Sequence, residues 1–218
     1  LLVLQHHDED DAGLIGDAFA NRGFELDVRR VRTGNDLPEA ELAEAVLVLG
    51  SKESVYDVEA QRRWVTRELD FLRGACDRGI PIFGVCFGAQ ELCLLAGGEV
   101  IRAAEPEVGW YEAESAEELF RGPWFEFHSD ACIASPTMEV LASSAVGIQA
   151  FWWQRNLGVQ FHPEIDGRQL TQWFDAGDDV REFGRDPEQL LAETRNREEH
   201  ARRRAEKLVE LFCERNGF

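Results

Sequence analysis

The chain has 218 residues, of which 44% are hydrophobic and 30% are charged. This composition is typical of a globular domain and differs from that of disordered polymers and of collagen-like or coiled-coil repeats. Asp and Glu total 42 against 23 Lys and Arg, which gives a formal net charge of −19. Because such a charge repels phosphate groups, neither a nucleic acid nor an anionic membrane surface is expected as a partner.

Neither a membrane segment nor a secretion signal is predicted. The longest stretch without a charged residue covers residues 140–154, whereas a membrane-spanning helix needs about 20 mostly apolar residues. The apolar start is followed by the acidic run Asp8–Asp11 rather than by a signal-peptide cleavage site. The five cysteines include no C-x-x-C pair, which argues against a disulfide framework and a structural zinc site. We therefore expect a cytoplasmic protein.

Short apolar runs alternate with amphipathic stretches in the first half of the chain. The predicted strands cover residues 1–5, 24–28, 45–49 and 80–85, and the predicted helices cover residues 12–22 and 58–79. Alternation of strands with helices is typical of a parallel sheet covered by helices on both faces. The expected fold class is therefore α/β, with a flavodoxin-like open sheet that is mainly parallel.

The second half of the chain is richer in strands. Short alternating runs lie at residues 108–113, 124–128, 148–153 and 157–161. A long C-terminal helix is predicted after Asp186, because Asp at the N-cap, Pro187 next to it and Gln189 form a helix-start signal. We expect residues 1–165 to form the functional core and residues 166–218 to form a helical extension of the same domain.

The segment from Ile80 to Gln90 is the most informative for chemistry. A buried strand is predicted to end at Cys86 and a helix follows directly, so the cysteine lies on a sharp turn. Gly84 and Gly88 flank it and leave room where side chains would collide. A sulfur at a helix N-terminus is favoured as the thiolate, the nucleophilic form of cysteine. This segment alone leaves open the alternative of a buried structural cysteine.

The segment Gln160–Glu164 offers a base and a carboxylate for such a nucleophile. His162 and Glu164 are two residues apart, so at strand spacing they point to the same side. A histidine can take the thiol proton, and a carboxylate can orient the imidazole. Alone, the pair is also explained by a strand-end histidine that a nearby carboxylate satisfies.

Together, these two segments resemble the class I glutamine amidotransferase family, in particular the glutaminase domain of GMP synthetase and its stand-alone relatives. The matching motifs are Gly84-x-Cys86-x-Gly88-x-Gln90 and His162-Pro163-Glu164. The resemblance implies a triad in which Cys86 attacks the side-chain amide of L-glutamine, His162 carries the proton and Glu164 orients the imidazole. A glutamyl thioester and ammonia would form, and water would then release glutamate.

Further segments extend the resemblance to the substrate site. Residues 48–57 resemble the family's loop after the third strand, whose amides join the amide that follows the nucleophile in an oxyanion hole. Residues 127–130 resemble the family's His-Gly-Asp segment, whose backbone grips the amino-acid end of glutamine, and residues 106–110 resemble the stretch that precedes it. The binding residues that the resemblance implies are Gly50, Ser51, Phe87, Gln90, His128, Ser129 and Asp130.

Two positions depart from the family pattern. Residues 49–52 read Leu-Gly-Ser-Lys where many relatives have consecutive glycines and a proline. Ser129 stands where the family's His-Gly-Asp segment has glycine. Because both segments would act through backbone groups, both changes are compatible with the implied site.

His6 and His7, followed by Asp8–Asp11, are candidates for metal ligands. They follow the first predicted strand, and ligands of open α/β sheets bind beyond the carboxyl ends of the strands. We interpret this segment as a solvated loop near the mouth of the active site, and we predict no metal and no cofactor. A flavin or phosphate site is disfavoured because the segment lacks the glycine-rich loop that cradles phosphate.

The predicted function is that of a glutaminase that passes ammonia to a separate synthase or ligase, because the predicted fold accounts for all 218 residues. L-glutamine is the expected substrate. Two alternatives stay open. One is a γ-glutamyl hydrolase that cleaves a small γ-glutamyl conjugate through the same thioester. The other is a catalytically silent regulatory subunit, which the presence of all three triad residues disfavours.

Overall fold

The structure, a computed structural model, describes residues 1–33, 37 and 43–218. Its strands are β1 (Leu2–Gln5), β2 (Asp27–Arg30), β3 (Val46–Val48), β4 (Ile82–Val85), β5 (Glu99–Tyr111), β6 (Trp124–Ile133), β7 (Glu139–Ser143), β8 (Ile148–Trp153) and β9 (Asn156–Val159). Its α-helices are α1 (Gly13–Asn21), α2 (Val58–Ala60), α3 (Thr66–Asp77), α4 (Phe87–Leu95), α5 (Glu118–Arg121), α6 (Gly167–Asp175) and α7 (Pro187–Asn216). Short 3-10 helices lie at Val31–Thr33 and Val180–Phe183, and a π-helical turn at Gln61–Val65.

The nine described strands form one sheet in the order β2-β1-β3-β4-β9-β8-β6-β5, and β7 pairs with β8 outside this path. Strand β1 pairs in parallel with β2 and β3, β3 with β4, and β4 with β9. The pairings among β5 to β8, and that of β8 with β9, are antiparallel. The expected α/β fold is confirmed, and the strand-rich second half forms the antiparallel end of the same sheet.

The parallel part of the sheet carries a hydrophobic core on each face. Val3 and Leu47 pack in one cluster with residues of α1 and α7, whereas Leu4 and Val46 pack in another with residues of α3 and α4. This division follows from strand geometry, which sends neighbouring side chains to opposite faces. Every residue of β1 and β4 is buried, as is usual for strands covered on both sides.

The second strand begins later than the sequence pattern predicts. The alternating run covers residues 24–28, but β2 covers Asp27–Arg30. Phe24 and Leu26 precede the strand and pack against the core cluster of α1 and α7. Their apolar character therefore reflects the packing of a connecting segment, while β2 is an edge strand with mostly exposed side chains.

The C-terminal helix begins as predicted. The side chain of Asp186 accepts a hydrogen bond from the amide of Gln189 at 2.9 Å, and Pro187 occupies the first position. The predicted apolar stripe is buried and comprises Ala201, Ala205, Leu208 and Phe212. Although α7 has 30 residues, no helix in the described part of the chain combines the length and apolar character needed to cross a membrane.

The carboxyl ends of β1, β3, β4 and β9 meet at one edge of the sheet. His6 follows β1, Gly50 lies just beyond β3, Cys86 follows β4 directly and His162 lies shortly after β9. This edge is where open parallel sheets bind their ligands. The parallel topology therefore brings together four segments that are distant in sequence.

Candidate active site

Cys86 lies at a strained turn between β4 and α4. Its backbone has φ 52° and ψ −102°, a conformation that residues with a side chain rarely adopt. Its amide donates to the carbonyl oxygen of Val159 at 2.8 Å, which ties the turn to β9. A Cβ on Gly84 would lie 2.5 Å from the carbonyl oxygen of Gly88, so the turn closes only with glycine there. The structure thus contains the sharp turn that the glycine spacing predicts.

His162 and Glu164 form a buried pair beside this turn. Nδ1 of His162 lies 2.7 Å from Oε1 of Glu164, and only 5% and 3% of the two side chains are exposed. The amide of His162 donates to the carbonyl oxygen of Phe125 at 2.7 Å. The indole of Trp173 meets the imidazole in a T-shaped contact with ring centroids 5.0 Å apart. These contacts hold the imidazole in one orientation.

The imidazole of His162 also interacts with the thiol of Cys86. Burial lowers the pKa of His162, but Glu164 and the Cys86 sulfur outweigh burial and raise this pKa well above its ordinary value. Nε2 of His162 is buried and has no conventional hydrogen-bond partner among the described residues. It is therefore available to exchange a proton with the sulfur. A thiolate beside an imidazolium is the ionic form in which cysteine attacks a carbonyl carbon.

Gly50 lies directly against Cys86 and His162. A Cβ on Gly50 would lie 3.1 Å from Cε1 of His162 and 3.7 Å from Cβ of Cys86, so a larger residue would crowd the reacting groups. Ser51 is the next residue of the same loop, and Phe87 is the first residue of α4. Amides in the first turn of a helix have no partner within the helix. These backbone N–H groups are the kind that an oxyanion hole requires.

A cleft of about 360 Å³ opens beside Cys86. The predicted site residues that line it are Cys86, His162, Glu164, Gly50, Ser51, Gln90, His128, Ser129 and Asp130. Phe87 is the exception, because its side chain is 1% exposed and packs in the core cluster of α3 and α4. Only its backbone is therefore suited to the role implied for it.

Gln160 is a site residue that the sequence analysis did not single out. Its Nε2 donates to Sγ of Cys86 at 3.5 Å, and its Oε1 accepts from Nε2 of Gln90 at 3.4 Å. An amide that donates to sulfur stabilises the negative charge of a thiolate. Gln160 lies two residues before His162, and alternate residues of an extended segment point to the same side. This spacing could have indicated that Gln160 faces the site.

His128 lies in a buried network of charges. Its Nε2 is 3.2 Å from a carboxylate oxygen of Glu107 and of Glu126, and its Nδ1–H donates to the carbonyl oxygen of Asp130 at 2.9 Å. Burial lowers the pKa of His128, but the two glutamates raise it to about 10. In the described part of the chain, these three side chains are the one group with ligand atoms close enough for a metal ion. Because His128 bridges the two carboxylates and the Asp130 carbonyl oxygen, we interpret the group as an ion network that fixes the Asp130 backbone.

The side chain of Asp130 joins two walls of the cleft. Its carboxylate accepts hydrogen bonds from the hydroxyl groups of Ser54 and Tyr56, which belong to the loop after β3. Nη1 of Arg102 lies 3.8 Å away. Because these groups occupy the carboxylate, the segment 128–130 offers mainly its backbone to a ligand.

The rim of the cleft is rich in charge. Nζ of Lys52 lies 2.8 Å from Oε1 of Glu9 and 3.0 Å from Oδ2 of Asp178, so it links the loops that follow β1, β3 and α6. Burial raises the pKa of Asp10 to about 6. The acidic residues that line the cleft around Lys52 are Asp10, Asp11, Glu53, Asp178, Asp179 and Glu182. The sequence predicts that the acidic run Asp8–Asp11 lies near the mouth of the cleft, and Asp10 and Asp11 line it. The other acidic residues come from separate loops that no sequence motif marked.

His6 and His7 point in different directions. Nδ1 of His6 lies 2.7 Å from the carbonyl oxygen of Gly50, and its Nε2 lies 3.1 Å from both carboxylate oxygens of Glu68. Nε2 of His7 lies 3.2 Å from Oε2 of Glu53. The interpretation as a solvated loop is wrong for His6, whose side chain is fully buried. Consecutive side chains of an extended segment point to opposite sides, and this continues past the end of β1. The two imidazole rings therefore do not form a common set of metal ligands.

The family model described as "Glutamine amidotransferase class-I" matches residues 12–175. The chain belongs to this family. Among curated relatives, the GMP synthase (glutamine-hydrolyzing) of Rhizobium etli is 30% identical over 197 residues, which are 77% of this chain and 36% of the relative. The enzyme of the same name from Streptomyces avermitilis is 30% identical over 184 residues, 72% of this chain and 34% of the relative. This amidotransferase chain therefore spans about a third of the length of these relatives.

Solved structures extend the likeness to the whole amidotransferase chain. A glutamine amidotransferase from Thermotoga maritima has a TM-score of 0.88 and 25% identity, with 98% of this chain and 97% of that chain covered. A glutamine amidotransferase from Methylobacillus flagellatus has a TM-score of 0.86 and 21% identity, with 99% and 94% covered, and shares the fold. The fold common to these neighbours thus includes the C-terminal helices beyond residue 175.

Proposed function

We propose that this amidotransferase chain hydrolyses the side-chain amide of L-glutamine through a thioester on Cys86 and passes the ammonia to a separate synthase. The observation that carries the proposal is the contact of Cys86, on its strained turn, with the buried pair His162–Glu164. A thiol, a base and a carboxylate that orients the base are the parts that nucleophilic acyl transfer requires.

The first half-reaction transfers the glutamyl group to sulfur. Sγ of Cys86 attacks the amide carbon after its proton has passed to Nε2 of His162. The amide oxygen becomes negative, and backbone N–H groups of Ser51 and Phe87 stabilise it. The C–N bond then breaks, the imidazolium gives its proton to the nitrogen, and ammonia leaves. Glu164 stabilises the imidazolium through its 2.7 Å contact with Nδ1.

The second half-reaction releases glutamate. Water attacks the thioester carbon while His162 accepts a proton, and the C–S bond breaks. The thiolate of Cys86 beside the imidazolium is thereby restored. Because the overall reaction is glutamine plus water to glutamate plus ammonia, no electron donor or acceptor takes part.

The amino-acid end of glutamine is expected to bind at residues 128–130. The His128 contact with the Asp130 carbonyl and the hydroxyl groups on the Asp130 carboxylate hold this segment rigid. Gln90 lines the same cleft from α4 and is positioned by its hydrogen bond with Gln160. The segment and Gln90 together would align the substrate amide with the thiol.

A partner that consumes ammonia is part of the proposal. The relatives named GMP synthase (glutamine-hydrolyzing) are aligned over only about a third of their length. In those proteins the remaining residues are available for the synthase reaction, and we infer that a synthase or ligase supplies the same function here. The chemical nature of the ammonia acceptor and a cytoplasmic location stay predictions.

The proposal is tested by measuring ammonia and glutamate released from L-glutamine by the purified chain. The native chain is expected to release both in equal amounts and to gain the mass of one glutamyl group when quenched in acid during turnover. Cys86→Ala is expected to lose both signals. Cys93→Ala, on the same helix, is the matched control and is expected to keep them. Loss of activity in the control with an intact fold would contradict the assignment of Cys86 as the sole essential thiol.

A γ-glutamyl conjugate is a second candidate substrate. The cleft continues from Cys86 to Asp178, Asp179 and Glu182, which leaves space for a leaving group larger than ammonia. Comparison of kcat/KM for glutamine and for γ-glutamyl amides of neutral and cationic amines separates the two candidates. A chain that forms a thioester with neither substrate would be a catalytically silent subunit.

A further inference from the structure

The fully buried side chain of His6 contacts the loop after β3 and is not among the residues that line the cleft. Its Nδ1 lies 2.7 Å from the carbonyl oxygen of Gly50, a distance typical of a strong hydrogen bond to a carbonyl. Its Nε2 lies 3.1 Å from both carboxylate oxygens of Glu68, on α3. A carbonyl oxygen faces Nδ1 and a carboxylate faces Nε2. Because both partners are acceptors, both ring nitrogens are protonated, and Nδ1–H donates to Gly50.

The hydrogen bond from His6 fixes the plane of one peptide group. The C=O of Gly50 and the N–H of Ser51 belong to the same planar trans peptide and point in opposite directions. Because the C=O points to His6, the N–H of Ser51 points away from His6. Gly50 itself borders Cys86 and His162, as the close approach of a Cβ at this position demonstrates. His6 therefore orients an amide next to the reacting groups.

The same imidazole also contacts the second segment that carries an oxyanion donor. Its ring centroid lies 5.1 Å from that of Phe87, in a T-shaped contact, and 4.8 Å from that of Trp64. Phe87 follows the nucleophile directly and contributes the other proposed amide. One buried side chain thus touches both halves of the proposed oxyanion hole.

Stability alone is a poor explanation for the buried pair His6–Glu68. Both side chains are fully buried, and replacement of a buried ion pair by apolar residues is often neutral or stabilising. The loop Gly50–Lys52 also lacks the proline of the family pattern described above, so its backbone is without the restraint of a fixed φ. A charged donor to the Gly50 carbonyl would supply a different restraint.

We propose that His6, held by Glu68, is a positioning residue that sets the orientation of the Gly50–Ser51 peptide for oxyanion stabilisation. This inference rests on the proposed amide hydrolysis. His6 touches neither the sulfur nor the substrate in this role, and its effect passes through the Ser51 amide. It predicts a loss in the step that builds negative charge on oxygen and no loss in the reactivity of the thiol itself.

The experiment compares His6→Leu, His6→Asn and Glu68→Gln with the native chain. His6→Leu removes the donor and is expected to lower kcat on the order of 10²–10³-fold, the effect of losing one oxyanion donor, with KM changed less than about threefold. In His6→Asn the side-chain amide replaces Nδ1–H, and at least about tenfold of kcat should return. Glu68→Gln keeps a side-chain partner for Nε2 but removes the negative charge that favours the doubly protonated ring, so a loss of kcat smaller than that of His6→Leu is expected.

Alkylation of Cys86 by iodoacetamide is the second readout, because that reaction needs the thiolate but builds no charge on a carbonyl oxygen. Its rate is expected to be the same in His6→Leu and in the native chain. Phe120→Leu, which removes buried contacts in α5, controls for a general loss of stability and should leave kcat unchanged. Thermal unfolding confirms that each variant is folded.

Two results would overturn the inference in an active native chain. One is an alkylation rate that falls together with kcat in His6→Leu, since His6 would then support the thiol rather than the oxyanion loop. The other is native kcat in His6→Leu. A native chain that hydrolyses neither glutamine nor γ-glutamyl amides would instead overturn the proposed function.

Discussion

Nδ1 of His162 lies 2.7 Å from Oε1 of Glu164, and the two residues are separated by a single proline. The proline ends the extended segment, because it has no amide to donate to a neighbouring strand. The imidazole thereby receives its orienting carboxylate from its own segment. This local origin explains why the pair is recognisable in the sequence.

The two members of this pair are expected to differ in their effect on catalysis. His162→Ala removes the group that carries the proton and should lower kcat on the order of 10²–10⁴-fold. Glu164→Ala leaves the imidazole in place without its orienting partner, so the loss should be smaller. Steady-state release of glutamate measures both variants. Equal losses, or a larger loss for Glu164→Ala, would contradict the assigned roles.

Asp10 is expected to shape the acidic limb of the pH profile. Burial raises its pKa to about 6, and the charges of Glu9 and Glu164 add to this effect, while those of His7 and His162 oppose it. Above this pH, ionised Asp10 adds a negative charge near His162 and favours the imidazolium. Native kcat/KM should therefore rise through an inflection near pH 6.

The test is the pH dependence of kcat/KM in Asp10→Asn, where this inflection should disappear. Asp17→Asn is the matched control, because Asp17 is paired with Arg202 on the surface, away from the cleft. An unchanged inflection in Asp10→Asn would assign the titration to another group.

The His128 network is expected to weaken folding at alkaline pH. The pKa of His128 is about 10 in the folded chain, against about 6.5 in an unfolded chain. Between these values the folded state holds a proton that the unfolded state has lost. The free energy of unfolding should therefore fall as pH rises through this window, by at most about 1.4 kcal/mol per pH unit.

Chemical denaturation of the native chain and of His128→Gln, at steps across this pH window, measures the effect. The variant is expected to be less stable than the native chain below neutral pH, where native His128 contributes fully, and its stability should depend less on pH. Parallel pH profiles for the two proteins would show that His128 is not the titrating group.

The N-cap of α7 is expected to contribute to stability through one hydrogen bond. The Asp186 side chain accepts from the Gln189 amide at 2.9 Å, so Asp186→Ala should cost about 1 kcal/mol of unfolding free energy. Asp186→Asn keeps a side-chain oxygen and should restore most of this loss. Denaturant titration of both variants gives the comparison, and equal stability of all three proteins would refute the role of the cap.

The turn at Cys86 was predictable because its causes are local. Gly84 and Gly88 lie within two residues of the cysteine, and an apolar run leads into it. The closeness of Cys86 to His162 has a different origin, the parallel pairing of Gly84 with Gly158 between β4 and β9. Periodicity predicts strands but not which strands become neighbours, so only the family resemblance could join the two motifs.

The burial and the partners of His6 could not be predicted from the sequence. Alternation predicts that His6 and His7 point to opposite sides, but it does not say which side is buried. The partners of His6 come from the loop after β3 and from α3, far along the chain. Likewise, the apolar residues Phe24 and Leu26 suggested a strand because packing against α1 and α7 produces the same alternation. In each case the deciding contact is tertiary.

The link from Lys52 to Glu9 and Asp178 makes the entrance of the cleft sensitive to ionic strength. The side chain of Lys52 is 39% exposed, and mobile ions screen exposed charges over about 8 Å at physiological salt. The reacting side chains Cys86, His162 and Glu164 are buried, so salt affects the interactions among them little. Added salt should therefore loosen the entrance before it alters the reacting groups, so that substrate entry and product release respond to ions that the chemical step does not sense.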